Sequence, residues 1–218
     1  QRAIQHLEPV ILPGVTNFDL AKIENPVADK FIEVDTNENG EMTDIRFKNT
    51  DTFNFAFDVV DALAEKNPDK TALVYVAEDL SDKKFTFADM KKYSNMTANY
   101  FRSMGIKKGD KVMLVLKRHY QFWFSILALH KIGAIVIPAT HQLVKHDFEY
   151  RFEAANVKAI VCTADDGVVE QVDLAEDGVN VKLIKMIVNG EREGWFNFND
   201  GIKGCSDVFE RPTDPKEL

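Results

Sequence analysis

The stretch FSILALHKIGAIVIPATHQL, residues 124–143, holds a helix, a stop and a strand in twenty letters. Phe124 to Ile132 is apolar on nearly every side, so it reads as a helix packed between two layers rather than lying on a surface. Gly133 reads as its C-terminal cap. AIVIPA, residues 134–139, reads as a short buried strand. Thr140, His141 and Gln142 follow it at once. In a parallel α/β sheet, ligands sit just outside the carboxyl ends of the strands. These three polar residues are therefore either a wet turn or a binding edge.

The flanking sequence repeats the alternation. FAFDVVDALAEKN (55–67) is an amphipathic helix stopped by Asn67-Pro68. Strand-like runs follow at 71–77 and 83–87. Thr86 and Asp89 then have the spacing of a capping box, opening a helix that runs to Met104 and ends at Gly105. KVMLVL (111–116), KAIVCT (158–163) and VKLIKMIV (181–188) read as buried strands, with helices at 120–132, 145–155 and 167–175 between them. Val-, Ile- and Leu-rich strands alternating with helices predict an α/β fold, a parallel sheet flanked by helices on both faces. Its parallel strands are expected at 71–77, 111–116, 134–138, 158–163 and 181–187. The expected organisation is an irregular N-terminal arm (1–52), the α/β subdomain (53–190) and a turn-rich tail (191–218). Within the arm, Asn39-Gly40 between two strand-like runs predicts a hairpin.

Composition narrows the function. The 218 residues carry 27 Lys and Arg against 35 Asp and Glu, a net charge of −8. No basic face for nucleic acid or an anionic membrane is expected from that balance. The apolar runs are much shorter than a bilayer span. QRAIQHLEPVILPG, at the start, lacks the layout of a secretory signal. Cys162 and Cys205 are too few for a disulfide framework, so a reduced, cytoplasmic protein is expected.

Local motifs exclude more than they assign. Asp35-Thr-Asn37-Glu-Asn39-Gly40 begins like an EF-hand calcium loop, but its twelfth position is Arg46 where a bidentate Glu is needed. His6, His119, His130, His141 and His146 include no zinc-like pair at helical spacing. His119 and His130 flank an apolar helix and read as structural. There is no G-x-S-x-G, no Walker loop and no G-x-G-x-x-G; Gly105–Gly109 reads as a surface turn. No catalytic residue and no metal site are expected in this chain.

The order of blocks does carry a resemblance. FNFAFDVVDALAEKNPDKTALVYV, FTFADMKKYSNMTANYFRSMGIKKGDKVML, FWFSILALHKIGAIVIPATHQL, YRFEAANVKAIVC and GEREGWFNF together resemble the adenylate-forming acyl-CoA synthetases, in their medium-chain branch. The resemblance implies a ligase that activates a carboxylic acid with ATP and Mg²⁺ and passes the acyl group to coenzyme A. It also implies a phosphate loop of the type T-S-G-T-T-G-x-P-K, which occurs nowhere in these residues. In the family that loop follows a segment like FERPTDPKEL, so the chain is expected to be the first part of the N-terminal domain, inactive alone and holding no cofactor. Its partners are then the remainder of its own polypeptide and, in the whole enzyme, the acid, ATP and coenzyme A. Self-association through apolar surface left uncovered is also expected.

By the same resemblance, Thr140, His141 and Gln142 form a coenzyme A-facing edge, and a carboxamide suits the amides of pantetheine. Acetyl-type relatives hold the coenzyme's phosphate with Arg-x-x-Arg where this sequence has Val169-Glu170-Gln171-Val172. Two competing classes remain open at this point: a freestanding flavodoxin-like binding module, and a regulatory protein descended from a truncated synthetase.

Overall fold

The computed structural model describes residues 30–214 and 216; His6 and most of the predicted arm lie outside the described residues. Two compact units divide between Lys48 and Asn49. In the first, β1 (Ile32–Thr36) and β2 (Met42–Phe47) form an antiparallel hairpin. Asn37 Oδ1 accepts from the Asn39 and Glu41 N–H groups, at 3.0 and 2.9 Å, and Gly40 takes φ +78°. Arg46 explains the false calcium loop. Its guanidinium forks onto Asp35 and reaches Asp44 at 3.3 Å, so an internal cation already satisfies the first carboxylate.

The second unit is built on five parallel strands in the order β6-β5-β7-β8-β9. They are β5 (Lys111–Val115), β6 (Ile135–Pro138), β7 (Val157–Thr163), β8 (Ile184–Val188) and β9 (Phe196–Asn197). Alternate residues feed two cores. Val112, Leu114, Ala159, Val161, Met186 and Val188 meet α2 (Phe87–Ser103), α3 (Gln121–Ile132) and α6 (Phe198–Lys203) on one face. Met113, Val115, Ile160, Cys162 and Ile187 meet α4 (Lys145–Ala155) and α5 (Val168–Gly178) on the other. This is the α/β sandwich that the near-continuous Val-, Ile- and Leu-rich strands alternating with helices predict.

The expected strand 71–77 is real but belongs elsewhere. β3 (Thr71–Val76) pairs antiparallel with β4 (Asp82–Thr86) in a separate two-stranded sheet. The loop between them is too short for a parallel crossover, which takes a dozen residues or more. Asp79 closes it by accepting from Ser81 N–H at 3.0 Å, and Leu80 takes φ +66°. Leu73 and Tyr75 point to the core, whereas Val74 and Val76 are exposed, the alternation of a half-solvated hairpin. The fifth parallel strand is instead β9, inside the tail expected to be turn-rich and without a strand.

The residues before α2 also differ from a plain helix. Ala56–Asp61 winds as a π-helical turn and passes into α1 (Ala62–Lys66). Asn54 Oδ1 accepts from the Ala56 N–H at 3.1 Å, and the Asn54 amide reaches the His130 carbonyl at 2.8 Å, tying this start to the end of α3.

α3 is sandwiched, as its lack of a polar face requires. Eight of its twelve residues are buried. Ala128, Leu129 and Ile132 pack on the sheet, while Phe124 and Leu127 pack beneath the β3–β4 hairpin. Phe124 stacks on Tyr93 at 4.9 Å and meets Phe85 edge-on at 5.3 Å. Burying each large side chain contributes roughly 1.5–3 kcal/mol. Gly133, at φ +75°, ends the helix in a left-handed cap that turns the chain into β6.

Candidate functional site

Four parallel strands end on one edge, and the turns that follow them line an open cleft of about 1150 Å³. β5 contributes Lys117 and His119, β6 contributes Thr140 and His141, β7 contributes Asp165 and Asp166, and β8 contributes Asn189. Residues Tyr75–Asp79 of the β3–β4 hairpin form the far wall. Parallel topology alone brings these groups together, because every turn emerges on the same side. Lys117, Asp166 and Asn189 have φ of +43°, +59° and +66°, a left-handed conformation uncommon for residues other than glycine. Such residues cluster where a fold fixes functional side chains.

His119 sits at the floor. Its Nε2 is 2.7 Å from Thr163 Oγ1 and 3.4 Å from an Asp165 carboxylate oxygen. Burial pushes its imidazole below the ordinary value, against the pull of Asp165. Thr, His and Asp invite comparison with a nucleophilic triad, but here both partners meet the same ring nitrogen. A relay needs the two nitrogens to face opposite partners. Thr163 is also wholly buried and accepts from the Asp165 N–H at 3.1 Å. The cluster fixes the turn after β7.

Lys117 Nζ lies 2.7 Å from Asp166 Oδ2, and His141 Nε2 lies 3.6 Å from the same oxygen. Their hydrogen bond holds the Asp166 carboxyl below its ordinary range and raises the Lys117 ammonium. The cleft also contains Arg118, Glu78 and Asp79. Its charged lining is therefore four carboxylates against Lys117 and Arg118, which is poor ground for a polyphosphate.

The three residues expected at the edge divide between two spaces. Thr140 and His141 face the main cleft; His141 and Gln142 line a smaller groove of about 330 Å³ beside Val168 and Gln171. Thr140 Oγ1 accepts from the Gln142 N–H at 3.3 Å, which shapes the turn. The Gln142 carboxamide is exposed and makes no hydrogen bond among the described residues. Val169 and Val172 are buried against the sheet, and the exposed Glu170 pairs with Arg192 at 2.7 Å. Among the described residues no group of three or more His, Cys, Asp or Glu could hold a metal ion. Cys162 and Cys205 are free, and burial drives the Cys162 thiol well above its ordinary range.

Sequence reasoning missed Lys117, His119, Thr163, Asp165 and Asp166 as members of this site. Each lies at or just past the end of β5 or β7, so the rule that singled out Thr140–Gln142 could have found them.

Comparison with known proteins agrees with this architecture. The family profile described as AMP-binding enzyme matches residues 60–216. The chain is 32% identical over 161 residues to the mitochondrial acyl-coenzyme A synthetase ACSM5 of Rattus norvegicus, covering 71% of this chain and 28% of that protein. It is 33% identical over 161 residues to the mitochondrial acyl-coenzyme A synthetase ACSM2A of Homo sapiens, with the same coverage. Among solved structures, a long-chain-fatty-acid-CoA ligase from Archaeoglobus fulgidus superposes with TM-score 0.65 at 20% identity, over 75% of this chain and 32% of that one. The anthranilate CoA ligase AuaEII gives TM-score 0.61 at 20% identity, over 74% and 30%. The chain thus spans little more than a quarter of the length of these curated relatives. Both relatives are mitochondrial, which overturns the expectation of a cytoplasmic protein. Two free thiols and an acidic charge describe a reduced compartment and carry no address. With the profile spanning most of its length, the chain belongs to the AMP-binding enzyme family.

Proposed function

We propose that this chain is one α/β subdomain of an AMP-forming acid–CoA ligase, which converts a carboxylic acid, ATP and coenzyme A to acyl-CoA, AMP and diphosphate. The observation that carries the reading is the convergence of four strand-end turns on one cleft, in a chain matched by the AMP-binding profile across residues 60–216. Thr140, His141 and Gln142 form the coenzyme A edge. The exposed Gln142 carboxamide offers a donor and an acceptor to an amide of the pantetheine arm. His141 stands where main cleft and groove meet, and Thr140 holds the turn in shape.

Alone, the chain performs neither half-reaction. No T-S-G-T-T-G-x-P-K loop occurs in it, and the cleft's charge balance disfavours the ATP phosphates. ATP and Mg²⁺ are then held by the rest of the ligase, and this chain supplies the wall on which coenzyme A lies.

The test is expression of the gene's continuous frame and assay of ATP–pyrophosphate exchange with a panel of carboxylic acids. Acid-dependent exchange by the longer product, absent from residues 1–218 alone, supports the reading. A frame ending at Leu218, with a stable product that binds a small ligand and catalyses nothing, supports a freestanding module instead.

A further inference from the structure

The main cleft and the smaller groove share two lining residues, His141 and Asp166. These two face each other at 3.6 Å and so stand as the partition between the spaces. Lys117 reaches the same Asp166 oxygen from the main cleft, at 2.7 Å. One carboxylate oxygen thereby joins the turns after β5, β6 and β7. The backbone is bent to place it: Lys117, Asp166 and Gly167 all have left-handed φ, at +43°, +59° and +68°. Lysine rarely adopts that conformation, and aspartate tolerates it better.

We propose that Asp166 is an internal stand-in for an anionic group of the ligand. Its carboxylate occupies the place beside Lys117 and His141 that a phosphate or carboxylate oxygen takes when an elongated ligand lies across both spaces. Displacing it opens the partition. The pair is suited to displacement, since the Lys117 and Asp166 side chains are 24% and 53% exposed, and ion pairs in such contact with water are weak. Asp165, Glu78 and Asp79, also on the cleft wall, disfavour a loose anion while the Asp166 carboxylate stays in place. The identification of coenzyme A as the elongated ligand rests on the reading under Proposed function; the stand-in role itself rests on the geometry.

The test is NMR titration of the 218-residue chain and its Asp166→Asn variant with three probes: inorganic pyrophosphate, coenzyme A and uncharged pantetheine. Removing one like charge about 4 Å from the bound anion should tighten pyrophosphate and coenzyme A by about fivefold. Pantetheine affinity should change by less than about twofold, and adding Lys117→Met should abolish the gain. Tighter pyrophosphate with no coenzyme A binding to either protein supports the stand-in and removes the coenzyme from the cleft. Equal or weaker pyrophosphate binding by Asp166→Asn, including no binding to it, overturns the proposal.

Discussion

Lys131 Nζ lies 2.8 Å from Asp61 Oδ1, and the lysine is wholly buried. It is also 2.6 Å from Asn95 Oδ1 and 5.4 Å from the centre of the Phe57 ring. Burial pushes the Asp61 carboxyl up and the Lys131 ammonium down, each against the pull of its partner. The pair thus costs desolvation and specifies how α3 sits against the π-helical turn and α2. Lys131→Ala strands a buried carboxylate and should lower unfolding stability by about 3–5 kcal/mol in urea titration. Lys131→Met with Asp61→Leu should restore most of that loss. A single Lys131→Ala variant within about 1 kcal/mol of the parent refutes this role.

Stability should decline on mild acidification. Burial holds the His119 and His130 imidazoles below the ordinary 6.5. Between that value and their lower folded values, the unfolded chain binds more protons, so stability is present above pH about 6.5 and is lost as pH falls through this window. Asp61, held above its ordinary value, works in the opposite sense at acid pH, so the histidine contribution is read as a difference. Urea midpoints should fall more between pH 7.5 and 5.5 in the parent than in a His119→Gln, His130→Gln double variant. Equal slopes would remove the histidines as the cause.

Residues 206–211 are clamped onto helices rather than draped over them. Arg211 forks onto Asp58 at 2.6 and 3.0 Å and donates to the Thr52 carbonyl. Asn95 and Asn99 donate to the Asp207, Ser206 and Val208 carbonyls. Arg211→Ala should cost about 1–3 kcal/mol and speed proteolytic cutting in this segment. Unchanged cutting would assign the anchoring to the two asparagines alone.

The outer face of the β3–β4 hairpin exposes Val74 and Val76 by 50% and 58%, and the turn residue Leu80 by 82%. This strip is proposed to drive the self-association expected of the isolated chain. Sedimentation velocity should give a rising weight-average mass with concentration, suppressed by Val76→Lys. A parent that stays monomeric at high concentration excludes it.

Much of the sandwich was legible because its signals are local. Gly133 and Gly105 stop helices, Thr86 and Asp89 form the capping box, and the 124–132 run, apolar on nearly every side, demanded two packing partners. The sheet assignment of 71–77 failed because buried apolar letters do not state which strand they pair with; the short loop to 83 did. β9 was illegible, being two residues long and held in place by β8. Thr140–Gln142 could be read from a strand end, whereas the Lys117–Asp166–His141 contact joins turns far apart in the chain and needs the tertiary fold.

The most direct test of the coenzyme A edge is Gln142→Ala in the whole ligase. Losing one amide hydrogen bond costs about 0.5–1.5 kcal/mol, or roughly 2- to 13-fold in affinity. The KM for coenzyme A should rise within that range, while acid-dependent ATP–pyrophosphate exchange stays nearly unchanged. Impaired exchange with an unaltered coenzyme A dependence would contradict the account, because it would put this turn on the adenylation side of the active site.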